Sequence, residues 1–259
     1  LVPVAVSGLA TGVASISGGG NHTCALTTSG GIKCWGRNTY GQLGDGTATQ
    51  RNAPVNVNGL TSGVDSISVG YETTCAVTTA GGAKCWGANY DGQVGDGSTL
   101  NQALPVSVSG LSSGVAHIAA GTAHSCAVTA TGGVKCWGDN GYGQLGNNST
   151  TNSVTPVNVS GLATGVANIT TGTYHTCAVL TSGGAKCWGF NVYGQLGDGT
   201  LVSPRLTPVA VSGLASGGVV AITAGYAHTC AVTTSGGAKC WGYNVYGQVG
   251  DGTTTNRSV

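Results

Sequence analysis

The fold is decided by the stretch His22-Thr23-Cys24-Ala25-Leu26-Thr27-Thr28-Ser29-Gly30-Gly31-Ile32-Lys33-Cys34-Trp35-Gly36, which returns five times along the 259-residue chain with few changes. Two short apolar runs flank a Ser-Gly-Gly turn, a pattern typical of a β-hairpin with glycine at a position of positive φ. An odd-numbered loop places Cys24 and Cys34 opposite each other, at the close Cα spacing that a disulfide requires. Each copy is therefore predicted to be a hairpin stapled across its strands.

All ten cysteines fall into pairs of this one spacing. An even count at fixed spacing indicates a disulfide framework made in an oxidising compartment. Zinc binding is the weaker alternative, because zinc-ligating cysteines normally lie only a few residues apart and converge from separate turns. The predicted bridges are Cys24–Cys34, Cys75–Cys85, Cys126–Cys136, Cys177–Cys187 and Cys230–Cys240.

The composition excludes several classes of protein. The 48 glycines, and the Ser and Thr residues between apolar runs, favour short strands and turns over helices. Nine basic and eight acidic residues give a net charge of +1, which disfavours nucleic-acid binding. No apolar run is long enough to span a bilayer, so membrane insertion is not expected. The start at Leu1 and the absence of Met lead us to expect a processed, secreted chain.

Two further strands are predicted before each hairpin. In the first repeat they are residues 3–6 (Pro-Val-Ala-Val) and residues 13–17, and a proline that opens a strand indicates the border of a sheet. With the hairpin this makes four strands per repeat, and the cysteine pairs recur every 51 residues, or 53 at the last step. Four-stranded units at this period predict an all-β chain, a β-propeller of five four-stranded blades in one domain, residues 1–259.

The two chain ends suggest how the array closes. The chain stops just before another Pro-Val strand is due, and residues 3–6 supply that strand at the other end. Joining Val259 to Leu1 would regenerate the connection, so the N-terminal strand is expected to pair with the C-terminal blade and close a ring. Alternatively, it completes the blade of a neighbouring molecule, which would build an extracellular filament.

The motifs Gly-x-x-His-Thr-Cys-Ala, Lys-Cys-Trp-Gly-x-Asn and Tyr-Gly-Gln-Leu-Gly-Asp-Gly-Thr resemble repeats of the regulator of chromosome condensation family. The cysteine pairs suggest a secreted, bacterial-type version. The resemblance implies a β-propeller, typically of seven blades, and functions as diverse as nucleotide exchange on a nuclear GTPase, ultraviolet-B sensing and β-lactamase inhibition. Light sensing is disfavoured, because tryptophans are absent from the positions just before the His-Thr motif, which here are Gly20, Tyr71, Thr122, Thr173 and Tyr226.

Several symmetric sets of residues are predicted to be structural. The tryptophan after each second cysteine lies on the hairpin face opposite the disulfide and is expected in the core between blades. The histidine at position 22 and its equivalents are expected to bond a neighbouring backbone group, with a metal site in a central channel as the weaker alternative. The Asp before Gly in each Gly-Asp-Gly loop suggests an Asx turn. The residues are Trp35, Trp86, Trp137, Trp188 and Trp241; His22, His124, His175 and His228, with Thr73 in the remaining copy; and Asp45, Asp96, Asp198 and Asp251, with Asn147 in the remaining copy.

No nucleophile, base and orienting acid stand together, so neither an enzyme nor a cofactor is predicted. The leading hypothesis is a non-catalytic binding or structural module outside the cell, with a protein or glycan partner or a second copy of itself. Enzyme inhibition is a further alternative. Loop aromatic and charged residues are the candidate contacts, since such side chains usually anchor interfaces. They are Arg37, Tyr40, Tyr90, Asp91, Asp139, Tyr142, Phe190, Tyr193, Tyr243 and Tyr246.

Overall fold

The stapled hairpin is present in each of five antiparallel sheets, which we call blades 1 to 5, and it forms the two middle strands of blades 1 to 4. The computed structural model describes residues 2–259, and it has 19 strands and no helix in that range. Within this part of the chain nothing has the length and apolarity of a membrane-crossing helix. Blades 1 to 4 have four strands each and blade 5 has three.

The strands follow one another across each blade in chain order. Blade 1 contains β1 (Val13–Gly18), β2 (His22–Thr27), β3 (Ile32–Gly36) and β4 (Arg51–Asn56); blade 2 contains β5 (Val64–Val69), β6 (Thr73–Thr78), β7 (Ala83–Gly87) and β8 (Gln102–Ser107); blade 3 contains β9 (Val115–Ala120), β10 (His124–Thr129), β11 (Val134–Gly138) and β12 (Ser153–Asn158); blade 4 contains β13 (Val166–Thr171), β14 (His175–Leu180), β15 (Ala185–Gly189) and β16 (Arg205–Ala210); blade 5 contains β17 (Val219–Ala224), β18 (His228–Thr233) and β19 (Ala238–Gly242).

The predicted staples are confirmed in every blade. Cys24 and Cys34 are direct partners in the β2–β3 ladder, with Cα atoms 4.1 Å apart. Gly30 has a φ of +78° in the turn, and the Thr27 amide donates to the Gly31 carbonyl across it. The other four pairs repeat this arrangement, and no free cysteine is found in residues 2–259.

The Pro-Val strand begins earlier than predicted. Pro54 is the fourth residue of β4, which starts at Arg51 and pairs with β3 through Gly36↔Arg51 and Cys34↔Val55. The predicted border position is correct, because β4 is the outermost strand of its blade. A proline has no N–H to donate, and an outer strand tolerates this since its second edge has no ladder to maintain.

The hydrophobic core is divided among the joints between consecutive blades. At the first joint, Leu26, Ile32 and Leu43 of blade 1 pack with Val64 and Trp86 of blade 2. Three more clusters of the same composition fill the following joints. The predicted core role of the tryptophans is confirmed for Trp86, Trp137, Trp188 and Trp241, which are fully or almost fully buried.

Each joint also contains one buried polar contact of fixed geometry. The main-chain carbonyl of Gln42 accepts a hydrogen bond from Trp86 Nε1 (3.0 Å) and another from Thr74 Oγ1 (2.9 Å). The same double acceptance recurs at Gln93, Gln144 and Gln195. A carbonyl oxygen has two lone pairs, and here both accept a hydrogen bond. The indole N–H and the hydroxyl are therefore buried with their hydrogens bonded.

The inner strands approach one another too closely for side chains. A Cβ added at Gly70 would clash with the carbonyl oxygen of Gly121 in the next blade. The neighbouring amide of Tyr71 donates to that same oxygen at 3.1 Å. Glycine is required at this position because the backbones of successive blades are joined directly around the axial channel, whose volume is about 410 Å³.

The predicted closure is not observed, and the five blades form an open arc. Residues 3–6 form no ladder with blade 5, whose fourth-strand position holds only the bridge between Gly242 and Arg257. Residues 6–12 are instead fixed to blade 1, since Thr28 N donates to Gly12 O at 2.9 Å. Leu1, the other partner in the predicted junction, lies outside the described residues.

The joint contact predicts unequal effects for one substitution at two equivalent positions. Trp137→Phe should lower the free energy of unfolding by about 1 to 3 kcal/mol, because the Gln93 carbonyl loses a buried donor. Trp35→Phe is the matched control, since Trp35 Nε1 has no acceptor within residues 2–259. Urea unfolding measures both, and equal losses would contradict the proposed role of the joint.

Candidate functional site

The loops that follow the hairpins are fixed from inside by a buried asparagine. Asn38 is inaccessible to solvent, and its Nδ2 donates to the carbonyls of Thr47 (3.0 Å) and Thr49 (3.1 Å). Its Oδ1 accepts from the amide of Leu43 at 2.9 Å. The other four loops repeat this with Asn89, Asn140, Asn191 and Asn244. The loops are therefore rigid supports for the side chains that vary between repeats.

The predicted Asx turns are present at the four aspartates, and three of these aspartates carry an ion pair that the sequence did not indicate. The amide of Thr47 donates to Asp45 Oδ1 at 2.9 Å, and Arg51 contacts Asp45 Oδ2 at 2.8 Å. Burial raises the pKa of Asp45, but hydrogen bonds from Thr47 and Arg51 outweigh it and hold that pKa below its ordinary value. Arg205 and Arg257 pair with Asp198 and Asp251 in the same way.

In blades 1 to 4 the glutamine of the loop connects the blade joint to the loop surface. While the main-chain carbonyl of Gln144 receives Trp188 and Thr176, its side-chain Oε1 accepts from the amide of Tyr142 at 2.8 Å. Gln144 Nε2 also donates to Asp139 at 2.6 Å. Sequence reasoning missed this role, although the invariant Tyr/Asp-Gly-Gln pattern of the five repeats was a visible signal.

The structure places the predicted contact residues along the loops of successive blades, as a strip of two ring clusters that we together call the aromatic band. At one end, Arg37 lies over the ring of Tyr40 (5.3 Å), which packs against Tyr90 (5.5 Å between centroids). At the other end, successive ring contacts of 4.9 to 6.2 Å follow one another along the strip. These contacts link Tyr142, Phe190, Tyr193, Tyr243 and Tyr246.

Two carboxylates separate the two ends of the aromatic band. Asp91 follows Tyr90, and Asp139 lies in the loop of Tyr142; Asn152 Nδ2 donates to Asp91 Oδ1 at 3.2 Å. Burial and the charge of Asp139 raise the pKa of the Asp91 carboxyl. No cation pairs with either carboxylate within residues 2–259, whereas Arg37 pairs with Glu72 at 2.9 Å.

Two tyrosines outside the predicted set extend the band. Tyr174 packs against Tyr142 at 5.1 Å between centroids. Tyr226 helps to line a cavity of about 460 Å³ beside Tyr193, Tyr243 and Tyr246. Both residues occupy positions just before the repeated histidine that change from repeat to repeat, and this variability was the signal that could have identified them.

Three of the four repeated histidines belong to the joints. His22 Nε2 lies 2.8 Å from Thr74 Oγ1 of the next blade, and since that hydroxyl donates to Gln42 O, the imidazole must donate its Nε2–H. His124 and His175 repeat the contact with Thr176 and Thr229. The expected backbone partner is thus replaced by a hydroxyl of the following blade. In residues 2–259 no three His, Cys, Asp or Glu side chains converge as a metal site.

Fold and site together define a β-propeller repeat protein with stapled hairpins, blade joints built on Trp, Thr and Gln, and an aromatic loop surface. The chain matches the RCC1-like domain family over residues 1–259, and it belongs to that family. It is 33% identical to the ultraviolet-B receptor UVR8 of Arabidopsis thaliana over 246 residues, which are 93% of this chain and 55% of UVR8. It is 34% identical to human HERC2, an E3 ubiquitin-protein ligase, over 246 residues, which are 93% of this chain and 5% of HERC2.

Solved structures show the same fold. Human WBSCR16 superposes with a TM-score of 0.84 at 25% identity, covering 95% of this chain and 65% of that one. Yeast RCC1 (Prp20), in its complex with Kap60, gives 0.85 at 19% identity, covering 95% and 60%. The chain therefore spans about half of UVR8 and less than two thirds of these two structures.

Burial of the joint histidines predicts a pH dependence of stability. Burial lowers the pKa of His124 and His175 to about 3 and that of His22 to about 4. Below about pH 6.5 the unfolded chain takes up protons that the folded chain refuses, so the free energy of unfolding should fall as the pH decreases towards these values. Each histidine contributes at most about 1.4 kcal/mol per pH unit.

Unfolding of His124→Thr, the residue that the chain itself uses at Thr73, tests this origin. The variant should show a shallower decline between pH 6.5 and pH 4, whereas the exposed His117→Thr control should follow the parent. A decline of equal steepness in His124→Thr and the parent would contradict the assignment.

Proposed function

We propose that this protein is a non-catalytic protein-binding module whose partner docks on the aromatic band. One observation carries the proposal: aromatic side chains of the loops pack ring against ring in two clusters, and residues that vary between repeats, such as Arg37, Phe190 and Tyr243, lie within them. The repeated residues form the scaffold. The residues that vary between repeats give the loop surface a composition that differs from blade to blade. Yeast RCC1 is solved bound to Kap60, and the structure of Prp20p is described with its binding to Gsp1p and histones, so related domains bind proteins.

The band suits tight binding because it is ordered before a partner arrives. Tyrosine and phenylalanine bury a large area and have few rotatable bonds, so little conformational entropy is lost on docking. The loops below them are already fixed by Asn140, Asn191 and Asn244. Mixed charges at Arg37, Asp91 and Asp139 favour a protein partner over a neutral glycan.

We also propose that the protein works outside the cell. The support is the set of five disulfides, since such bridges persist in oxidising compartments and are rare in the cytosol. Each disulfide closes a hairpin of the same length, so all five bridges need the same oxidising environment.

Self-association is a second candidate function, and one observation favours it. Beyond the bridge between Gly242 and Arg257, the outer edge of β19 in blade 5 has no ladder partner within residues 2–259, whereas the equivalent strand of every other blade pairs with a fourth strand. An unpaired strand edge is a template for another chain.

Matched variants test the binding proposal. The double variant Tyr193→Ser/Tyr243→Ser removes the centre of the long stretch of the band, and Leu104→Ser removes an exposed apolar side chain on the outer strand β8 as the control. The immobilised parent captures proteins from the extracellular fraction of the source. The captured proteins should bind the double variant at least about tenfold more weakly than the parent, and they should bind the Leu104→Ser control as tightly as the parent.

Purified captured protein, remeasured by calorimetry with each variant, decides the outcome. Equal affinity for the parent and the double variant would contradict the proposed band. Loss of affinity after enzymatic deglycosylation of the partner would show that the band binds a glycan rather than a protein surface.

A further inference from the structure

Between its two ring clusters, the aromatic band carries carboxylates at positions where other blades carry rings. Asp91 directly precedes the Gly-Gln of its loop, a repeat position that is tyrosine in the other four blades, at Tyr40, Tyr142, Tyr193 and Tyr246. Asp139 lies two residues after the tryptophan of its hairpin, a position that is Phe190 in blade 4 and Tyr243 in blade 5. Each carboxylate therefore stands where at least two other blades have a ring.

These two positions meet across a joint. At the joint between blades 3 and 4 they are Tyr142 and Phe190, whose ring centroids are 4.9 Å apart, and the equivalent pair at the following joint is equally close. At the joint between blades 2 and 3 they are Asp91 and Asp139. Burial and, after it, the charge of Asp139 raise the pKa of the Asp91 carboxyl. Two carboxylates therefore lie together where the later joints pack two neutral rings, and their like charges oppose each other's ionisation.

Donors within the loops fix both carboxylates in place. Asn152 Nδ2 donates to Asp91 Oδ1 at 3.2 Å. Asp139 Oδ1 accepts from the amide of Gly141 at 3.0 Å, and its Oδ2 accepts from Gln144 Nε2 at 2.6 Å. All three donors are neutral amides, so they orient the carboxylates without cancelling either charge. A cation that enters between the carboxylates thus meets acceptors that are already in position.

The chain itself supplies no cation to this acidic pair. Its four arginines each form an ion pair with another carboxylate: Arg37 with Glu72, Arg51 with Asp45, Arg205 with Asp198 and Arg257 with Asp251. The five lysines share one position on the third strand of each blade, and those of blades 1 to 3 donate to the neighbouring outer strand. Within residues 2–259 neither Asp91 nor Asp139 has a cationic partner, so the cation that neutralises them has to come from another molecule.

Exposed rings lie beside the acidic pair. Tyr90 directly precedes Asp91 and is 59% exposed, and Tyr142, from the loop of Asp139, is 41% exposed. A guanidinium group is planar, so it can stack on such rings while its N–H groups donate in a fork to carboxylates. The ammonium group of lysine is a strongly hydrated point charge and is less suited to such a site. The combination of rings and paired carboxylates therefore selects arginine.

We propose that the partner of the aromatic band inserts an arginine side chain at the joint between blades 2 and 3, where its guanidinium binds Asp91 and Asp139 and stacks on the neighbouring tyrosine rings. This arginine site rests on the band as a protein-binding surface and specifies the chemistry of the partner, a protein with arginine in an accessible segment. The rings supply buried area, and the guanidinium fixes the register of the partner, because opposite charges that meet suppress other registers. Part of the affinity is therefore screened by salt.

An NMR titration with a defined probe tests the arginine site. The probe is an acetylated and amidated pentapeptide with one arginine between glycines, and its control carries citrulline, which has a similar shape without the charge. In the ¹⁵N-labelled protein the arginine peptide should shift the backbone amide signals of Asp91, Asp139 and Tyr142, with a dissociation constant on the order of 1 mM. The citrulline peptide should bind at least about tenfold more weakly.

Two charge-matched variants complete the titration. Asp91→Asn keeps an oxygen that accepts from Asn152 and removes the charge, so it should bind the arginine peptide at least about tenfold more weakly than the parent. Asp65→Asn removes the same charge from an exposed position of β5 and should bind the peptide like the parent. A parent without a saturable shift, equal affinity for the citrulline peptide, or unchanged affinity in Asp91→Asn would overturn the arginine site.

The captured protein partner separates this site from the band as a whole. Its affinity for Asp91→Asn should be at least about tenfold lower than for the parent at low salt, and the difference should shrink as the salt concentration rises. A partner that binds Asp91→Asn like the parent but loses affinity for Tyr193→Ser/Tyr243→Ser would overturn the arginine site and leave the band in place. Equal affinity for all three proteins would overturn both.

Discussion

The structure depends on one buried carbonyl in each joint, that of the glutamine in the Tyr/Asp-Gly-Gln loop. It accepts an indole N–H and a hydroxyl from the next blade, so a single oxygen fixes the separation and orientation of two sheets. Apolar packing alone has little directional preference, whereas these hydrogen bonds have strict geometry. The joint thus converts a row of independent hairpins into an arc with a defined curvature.

The same glutamine transmits this order to the surface. In blade 3 its side chain holds the amide of Tyr142 and the carboxylate of Asp139, while its carbonyl holds blade 4. Disulfides stabilise each hairpin internally, and the joints stabilise hairpins against one another, so the main contributions of the loops to stability come from the buried asparagine and this glutamine. Their remaining positions are therefore free to vary, as Arg37, Phe190 and Tyr243 at one repeat position of the aromatic band show.

Local features could be predicted from the sequence because they depend on neighbours in the chain. Cys24 and Cys34 lie opposite each other through hairpin geometry alone, and four of the five tryptophans are buried as strand alternation requires. The start of β4 was predicted wrongly, because the ladder with β3 continues past the proline to Arg51. The role of Gln42 was missed, since its partners lie in the next blade and no local pattern indicates which carbonyl an indole will reach. The ring contacts of the aromatic band likewise depend on how the blades are arranged, which spacing does not show.

The indole hydrogens give the most direct test of the joint. In a sample labelled with ¹⁵N at tryptophan and kept dilute, the exchange of the five indole N–H groups with deuterated water can be followed by NMR. The account predicts slow exchange for Trp86, Trp137, Trp188 and Trp241, each bound to a glutamine carbonyl, and fast exchange for Trp35. Five equally slow hydrogens would show a closed ring, and five fast ones would show that the carbonyl contacts do not hold the blades together; either result would contradict the account.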